Sequence, residues 1–87
     1  MATRKIRGGR IITSQVDQEL IDDGNNSTIK LLESVSIENL GSSDIHCRIN
    51  KGDEILIKSN ETLSINIQVD SIIVKEVNSE VSFLGID

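Results

Sequence analysis

The sequence has no proline, tryptophan or tyrosine, and it holds one cysteine, one histidine and one phenylalanine. A single cysteine, Cys47, excludes an internal disulfide and a multi-cysteine zinc site. A single histidine, His46, excludes the converging imidazoles of a cupin-type metal centre. One aromatic ring, Phe83, leaves little for stacking against a sugar, which sets a carbohydrate-binding module low among the functional classes. No apolar run approaches the roughly 20 residues of a membrane helix. The basic start, Arg4, Lys5, Arg7 and Arg10, encloses Gly8 and Gly9 with no apolar stretch behind it, so no secretory leader is expected. Alanine is scarce as well, represented by Ala2 alone, which disfavours long helices.

What the chain does contain is branched aliphatics: 15 Ile, 7 Leu and 6 Val among 87 residues. These side chains fit a pleated, half-buried surface. The length suits one small domain. The formal net charge of −5 is unevenly spread. Residues 1–10 carry four cations and no acid, and the remainder carries five cations against fourteen acids, so the two parts stand at +4 and −9. A body that acidic is a poor nucleic-acid binder, because duplex affinity comes largely from neutralising phosphates.

Residues 1–28 are polar and end in the loop Asp22-Asp23-Gly24-Asn25-Asn26-Ser27, so they read as an extended N-terminal arm and linker. Within them Ser14 as a cap, with Val16 and Leu20 spaced i, i+4, suggests a short helix. Residues 29–87 read as a sheet domain. Val35 and Ile37 alternate with polar neighbours, as do Ile45, Cys47 and Ile49, and again Leu63, Ile65, Ile67 and Val69. Residues 55–58, 72–77 and 81–85 complete about six strands of 5 to 7 residues, joined by short turns. Asn50-Lys51-Gly52-Asp53 supplies hairpin chemistry, with Gly52 expected to take the positive φ. Parallel pairing needs crossovers of a dozen residues or more, for which there is no room. The expected fold is therefore all-β: a small antiparallel β-sandwich of jelly-roll or immunoglobulin-like type.

Candidate chemistry is sparse. His46 and Cys47 are sequence neighbours and face opposite sides of a strand, so they are not a nucleophile–base pair. Cys47 shares a face with Ile45 and Ile49 and reads as a buried thiol. Asp53 and Glu54 diverge for the same reason and form no acid–base dyad. The loop 22–26 lacks the alternating oxygen ligands and distal glutamate of a calcium loop. No catalytic residue, metal ligand or cofactor is expected. A domain of this size with no disulfide and one ring calls for help from association, so a homo-oligomer is expected.

The stretch Glu33-Ser34-Val35-Ser36-Ile37-Glu38-Asn39-Leu40-Gly41-Ser42-Ser43-Asp44, followed by Cys47-Arg48-Ile49-Asn50-Lys51-Gly52-Asp53-Glu54, resembles the small β-sandwich virion proteins of tailed bacteriophages. There a strand ending in an N-x-G-type turn leads to an I-N-x-G hairpin. An aliphatic strand such as 63–67 and a late hydrophobic strand such as 72–77 follow. The resemblance spans about residues 33–86. It implies a non-enzymatic virion component, with a capsid decoration protein as the first expectation. A tail, neck or baseplate adaptor is the alternative. Its partners are then the major capsid protein or tail and neck subunits, with no membrane contact. Residues Arg4, Lys5, Ile6, Arg7, Arg10, Ile11 and Ile12 are the expected docking segment, through charge steering and apolar anchoring. Deleting residues 1–12 is expected to leave the body folded.

Overall fold

A computed structural model of the chain describes residues 3–21 and 31–87. Among these are eight strands and no helix: β1 (Ile6–Ile12), β2 (Gln18–Glu19), β3 (Glu33–Asn39), β4 (Ile45–Ile49), β5 (Glu54–Ile57), β6 (Thr62–Ile65), β7 (Ile72–Val74) and β8 (Glu80–Ile86). They form two four-stranded antiparallel sheets, β1-β8-β3-β6 and β2-β7-β4-β5. Every connection except β4–β5 passes from one sheet to the other. The pairs β4·β5, β3·β6, β2·β7 and β1·β8 are thus the nested rungs of one long hairpin. Its folding over, through the β3·β8 and β4·β7 contacts, is jelly-roll topology. The tip of that hairpin is the 49–52 turn.

The six expected strands are β3 to β8. Their inward positions follow the period of two: Val35 and Ile37, Ile45 and Cys47, Ile72 and Val74, Val81 and Phe83 are all buried. Each fully buried Ile or Val contributes roughly 2 kcal/mol, so an aliphatic interior substitutes for the missing rings. Two expected strands are shorter than their apolar pattern. The 63–69 run stops pairing after Ile65, and Val69 instead makes a single bridge with Leu32. The 72–77 run stops at Val74, because Thr13 and Glu76 take over the hydrogen bonds there.

Three expectations need correction. Residues 6–12, expected in an extended arm apart from the 29–87 sandwich, are a full strand of its first sheet, in continuous register with β8 from Ile6↔Ile86 to Ile12↔Glu80. The segment at 14–20 is a turn leading into β2 rather than a helix. Asp17 has φ 55°, and the Ser14 N–H donates to Gln18 Oε1 at 2.6 Å instead of the hydroxyl capping a helix. Leu20 is buried while Val16 is exposed, so the two never shared a face. At the hairpin tip, Asn50 (φ 53°) and Lys51 (φ 60°) carry the positive angles of a type I′-like turn, closed by the Gly52 N–H on the Ile49 carbonyl at 3.0 Å. Gly52 serves close approach instead, since a Cβ there would lie 3.1 Å from the Ile49 oxygen.

One buried polar side chain organises the opposite end of the sandwich. The next inward position after Val35 and Ile37 is Asn39, which is fully buried. Its Nδ2 donates to the carbonyls of Ser43 (2.8 Å) and Ile57 (3.1 Å), and its Oδ1 accepts from the Gly41 N–H (3.0 Å). Its backbone N–H donates to the Glu61 carbonyl at 2.9 Å and its carbonyl accepts from the Asn60 N–H at 2.8 Å. Among the described residues no buried side-chain nitrogen or oxygen lacks a partner. Removing this amide strands two carbonyls and one N–H. Asn39→Ala is therefore expected to lose about 3 kcal/mol in urea unfolding followed by circular dichroism. Asn39→Asp is expected to lose a similar amount, because a carboxylate has nothing to donate to the Ser43 and Ile57 carbonyls.

Candidate functional site

The seven residues expected to dock a partner all lie on β1 or just before it, at the edge of the first sheet. The sheet holds them in a way a free arm would not. Gly8 lies where the two strand backbones crowd each other: a Cβ there would overlap the Phe83 carbonyl oxygen of β8. At the end of β1, buried Thr13 donates from its hydroxyl to the Glu76 carbonyl at 2.7 Å. The same hydroxyl accepts from the Ser79 N–H at 2.9 Å.

The cations are engaged within the chain. Arg4 Nη2 lies 2.7 Å from Glu33 Oε2, Arg7 Nε 3.0 Å from Asp87 Oδ2, and Arg10 Nε 3.3 Å from Glu80 Oε1. The Arg4 hydrogen bond, helped by one from Gln68, holds the Glu33 carboxyl below its ordinary range. Such exposed pairs are individually weak, yet together they fasten β1 to the acidic body. Lys5 joins through its backbone: the Asp87 N–H donates to the Lys5 carbonyl at 2.8 Å. Ile11 faces inward and packs against the core. Ile6 and Ile12 point the other way and are 75% and 65% exposed, beside Leu84 of β8 at 50%. The structure thus splits the expected docking set into a fastening group and an outward apolar pair. Leu84 is an addition that the sequence signalled only as one position in an alternating strand.

The backbone of β1 is half used. Lys5 pairs with Asp87, and the Thr13 N–H donates to the Ser79 carbonyl at 2.9 Å, which sets the phase of the ladder. Alternate residues of an antiparallel strand bond to opposite sides. Residues 5, 7, 9, 11 and 13 therefore face β8. The N–H and C=O groups of Ile6, Gly8, Arg10 and Ile12 face outward, and among the described residues nothing pairs with them.

Elsewhere the polar groups hold the fold. A cleft of about 440 Å³ is lined by Glu19, Asn50, Lys51, Asp70 and Ser71. Glu19 accepts from the Ser71 hydroxyl and from the Ile72 and Ile21 N–H groups, while Asn50 bonds Gln68 and Asp70. The cleft's main acceptor is thus already occupied. His46 and Cys47 face opposite sides as expected, and burial pushes the Cys47 thiol up to about 11. The loop at 22–26 lies outside the described residues. Among the described residues no three His, Cys, Asp or Glu side chains converge on a common point.

Glu76 continues the β4·β7 ladder beyond the end of β7. Its carboxylate accepts from the His46 backbone N–H at 2.7 Å and meets His46 Nδ1 at 2.8 Å. Burial pulls this carboxyl up. The hydrogen bonds from the His46 backbone and ring, one from its own backbone, and the attraction of the imidazole outweigh burial and leave it below its ordinary 4.5. The chain matches no known family model, no curated protein and no solved structure.

A carboxyl depressed by folding contributes stability that is complete above its unfolded value and lost as pH falls through the folded one. Unfolding free energy is therefore expected to drop as pH is lowered below 4.5, with Glu76 one source. In Glu76→Gln that acid limb is expected to be shallower than in the wild type. Equal slopes in urea titrations from pH 6 down to about 3 would exclude Glu76 as a contributor.

Proposed function

We propose that this chain is a non-enzymatic structural component of a tailed-phage virion, assembling with other virion subunits through the outer edge of β1. The observation that carries this reading is a seven-residue edge strand with open hydrogen-bonding groups and two large exposed isoleucines. Sheet edges are sites where proteins either block pairing or use it. The other three edges are short: β2 has two residues, and β5 and β6 have four each. A long edge with outward Ile6 and Ile12 is suited to strand addition by a neighbouring subunit.

Two further observations support the reading. Jelly rolls recur in viral capsid domains, as they do in lectins and cupins, which is a fold-level analogy only. The polar side chains are also engaged in turns and ladder ends, as a scaffold requires. A capsid decoration role comes first, since a subunit that bridges neighbours gains avidity from several weak contacts. A tail or neck adaptor would use the same edge.

Deleting residues 1–12 is no clean test, because it strips β8 of a partner and opens the core beside Phe83. Ile6→Lys/Ile12→Lys leaves the strand in place. Both side chains are exposed, so folding stability is expected to change by no more than about 0.5 kcal/mol. The double variant is expected to be missing from purified particles that incorporate the wild type. Incorporation at wild-type level, measured by mass spectrometry of the particles, would overturn the assignment of β1 as the assembly edge.

A further inference from the structure

The sequence of β1, Ile-Arg-Gly-Gly-Arg-Ile-Ile, is close to self-complementary, and the phase of its open hydrogen bonds selects one pairing. We infer that the first partner of this edge is a second copy of the same strand, paired antiparallel about a two-fold axis through Gly9. The inference deepens the reading of β1 as the assembly edge and is independent of the particle to which the chain belongs.

The open groups belong to Ile6, Gly8, Arg10 and Ile12, so only registers that set even residues opposite even residues use them. Centring on Gly9 places Ile6 opposite Ile12 of the second copy and Gly8 opposite its Arg10. Four such pairs form, each exchanging two bonds, for about eight new backbone hydrogen bonds. The side chains of Ile6, Arg10 and Ile12 lie on the outer face, the face of Leu84 and Ile86, and Gly8 adds none.

The side chains fit this register in three ways. Ile6 meets Ile12 of the second copy, in a row with Ile86, so the most exposed apolar groups cover one another. The aliphatic stem of Arg10 lies over Gly8 of the other copy, where the missing side chain leaves room and Leu84 forms the adjacent wall. Gly9 sits on the axis, where no side chains meet. Neighbouring registers are worse. Sliding one way sets Arg10 against Arg10, and like charges directly opposite are unfavourable. Sliding the other way sets Gly8 against Gly8 and Ile6 against Arg10, which leaves Ile6 and Ile12 uncovered by each other. Pairing in the favoured register joins two four-stranded sheets into one of eight strands.

The test uses the purified chain with no particle present, so its failure is distinct from a failure of incorporation. Light scattering with refractive-index detection is expected to give twice 9.6 kDa for the wild type. Ile12→Lys is expected to give 9.6 kDa with an unchanged circular dichroism spectrum. On mild oxidation, Ile6→Cys/Ile12→Cys is expected to form a covalent dimer. With only one of these two cysteines added the chain stays uncrosslinked, because residues 6 and 12 each lie about 20 Å from their own counterparts across the axis and the native Cys47 is buried. A wild type that remains monomeric at its solubility limit would overturn the inference. So would a dimer that survives Ile12→Lys, or crosslinking in either single-cysteine variant.

Discussion

A buried amide at Asn39 holds together elements that the apolar core alone leaves independent. Its side chain ties the end of β3 to the crossover at 41–43 and to the end of β5, while its backbone fixes the turn at 60–61. Those segments belong to both sheets. Aliphatic packing favours burial without direction, so in a core with one aromatic ring it does little to fix the relative placement of two layers. Directional bonds do that work here, and the buried position makes each of them hard to exchange for water. Thr13 has a corresponding role just after β1, and Ser71 and Glu19 hold the start of β7.

Much of this was legible in the sequence where local rules decide. Period-two alternation marked β3, β4 and β6, short apolar segments marked β5, β7 and β8, and the inward burial of Ile45 and Cys47 followed from the alternation. Asn39 reads in the sequence only as part of the N-x-G-type turn, so neither its burial nor its partners were legible. The misread parts depend on distant residues. Gly8 and Gly9 resemble loop chemistry until β8 is brought alongside, and an Arg-rich start resembles a tether until its acids are in place. Val16 and Leu20 matched a helical spacing by coincidence, because Leu20 was needed in the core. Gly52 drew the expectation of a positive φ that Asn50 and Lys51 fulfil. Of the seven docking residues, alternation alone separates Ile11 from Ile6 and Ile12, but the ion pairs that engage Arg4, Arg7 and Arg10 span between 29 and 80 residues.

The charge division along the sequence illustrates the point. Read linearly, a basic segment precedes an acidic body and suggests attraction to something external. Folded, the two are each other's counterions: Glu33, Glu80 and Asp87 each meet an arginine of the N-terminal segment. Net charge describes the whole molecule, while its sequence distribution says little about the surface a partner meets. What β1 offers outward is a hydrogen-bonding edge bearing aliphatic side chains and the partly neutralised Arg10.

Nesting the strands as rungs of one hairpin also ranks them by the length of chain each must close. The 49–52 turn brings β4 and β5 together across a few residues, whereas Arg7 and Asp87 meet across 80. Loop-closure entropy grows with that separation, so closure costs least at the tip, Asn50 and Lys51, and most at β1. By the same ranking β1 is the first strand to fray. Each transient departure bares the backbone of β8 and the side of Phe83. The strand that presents the outer edge is therefore also the cover that keeps a more hydrophobic edge from view.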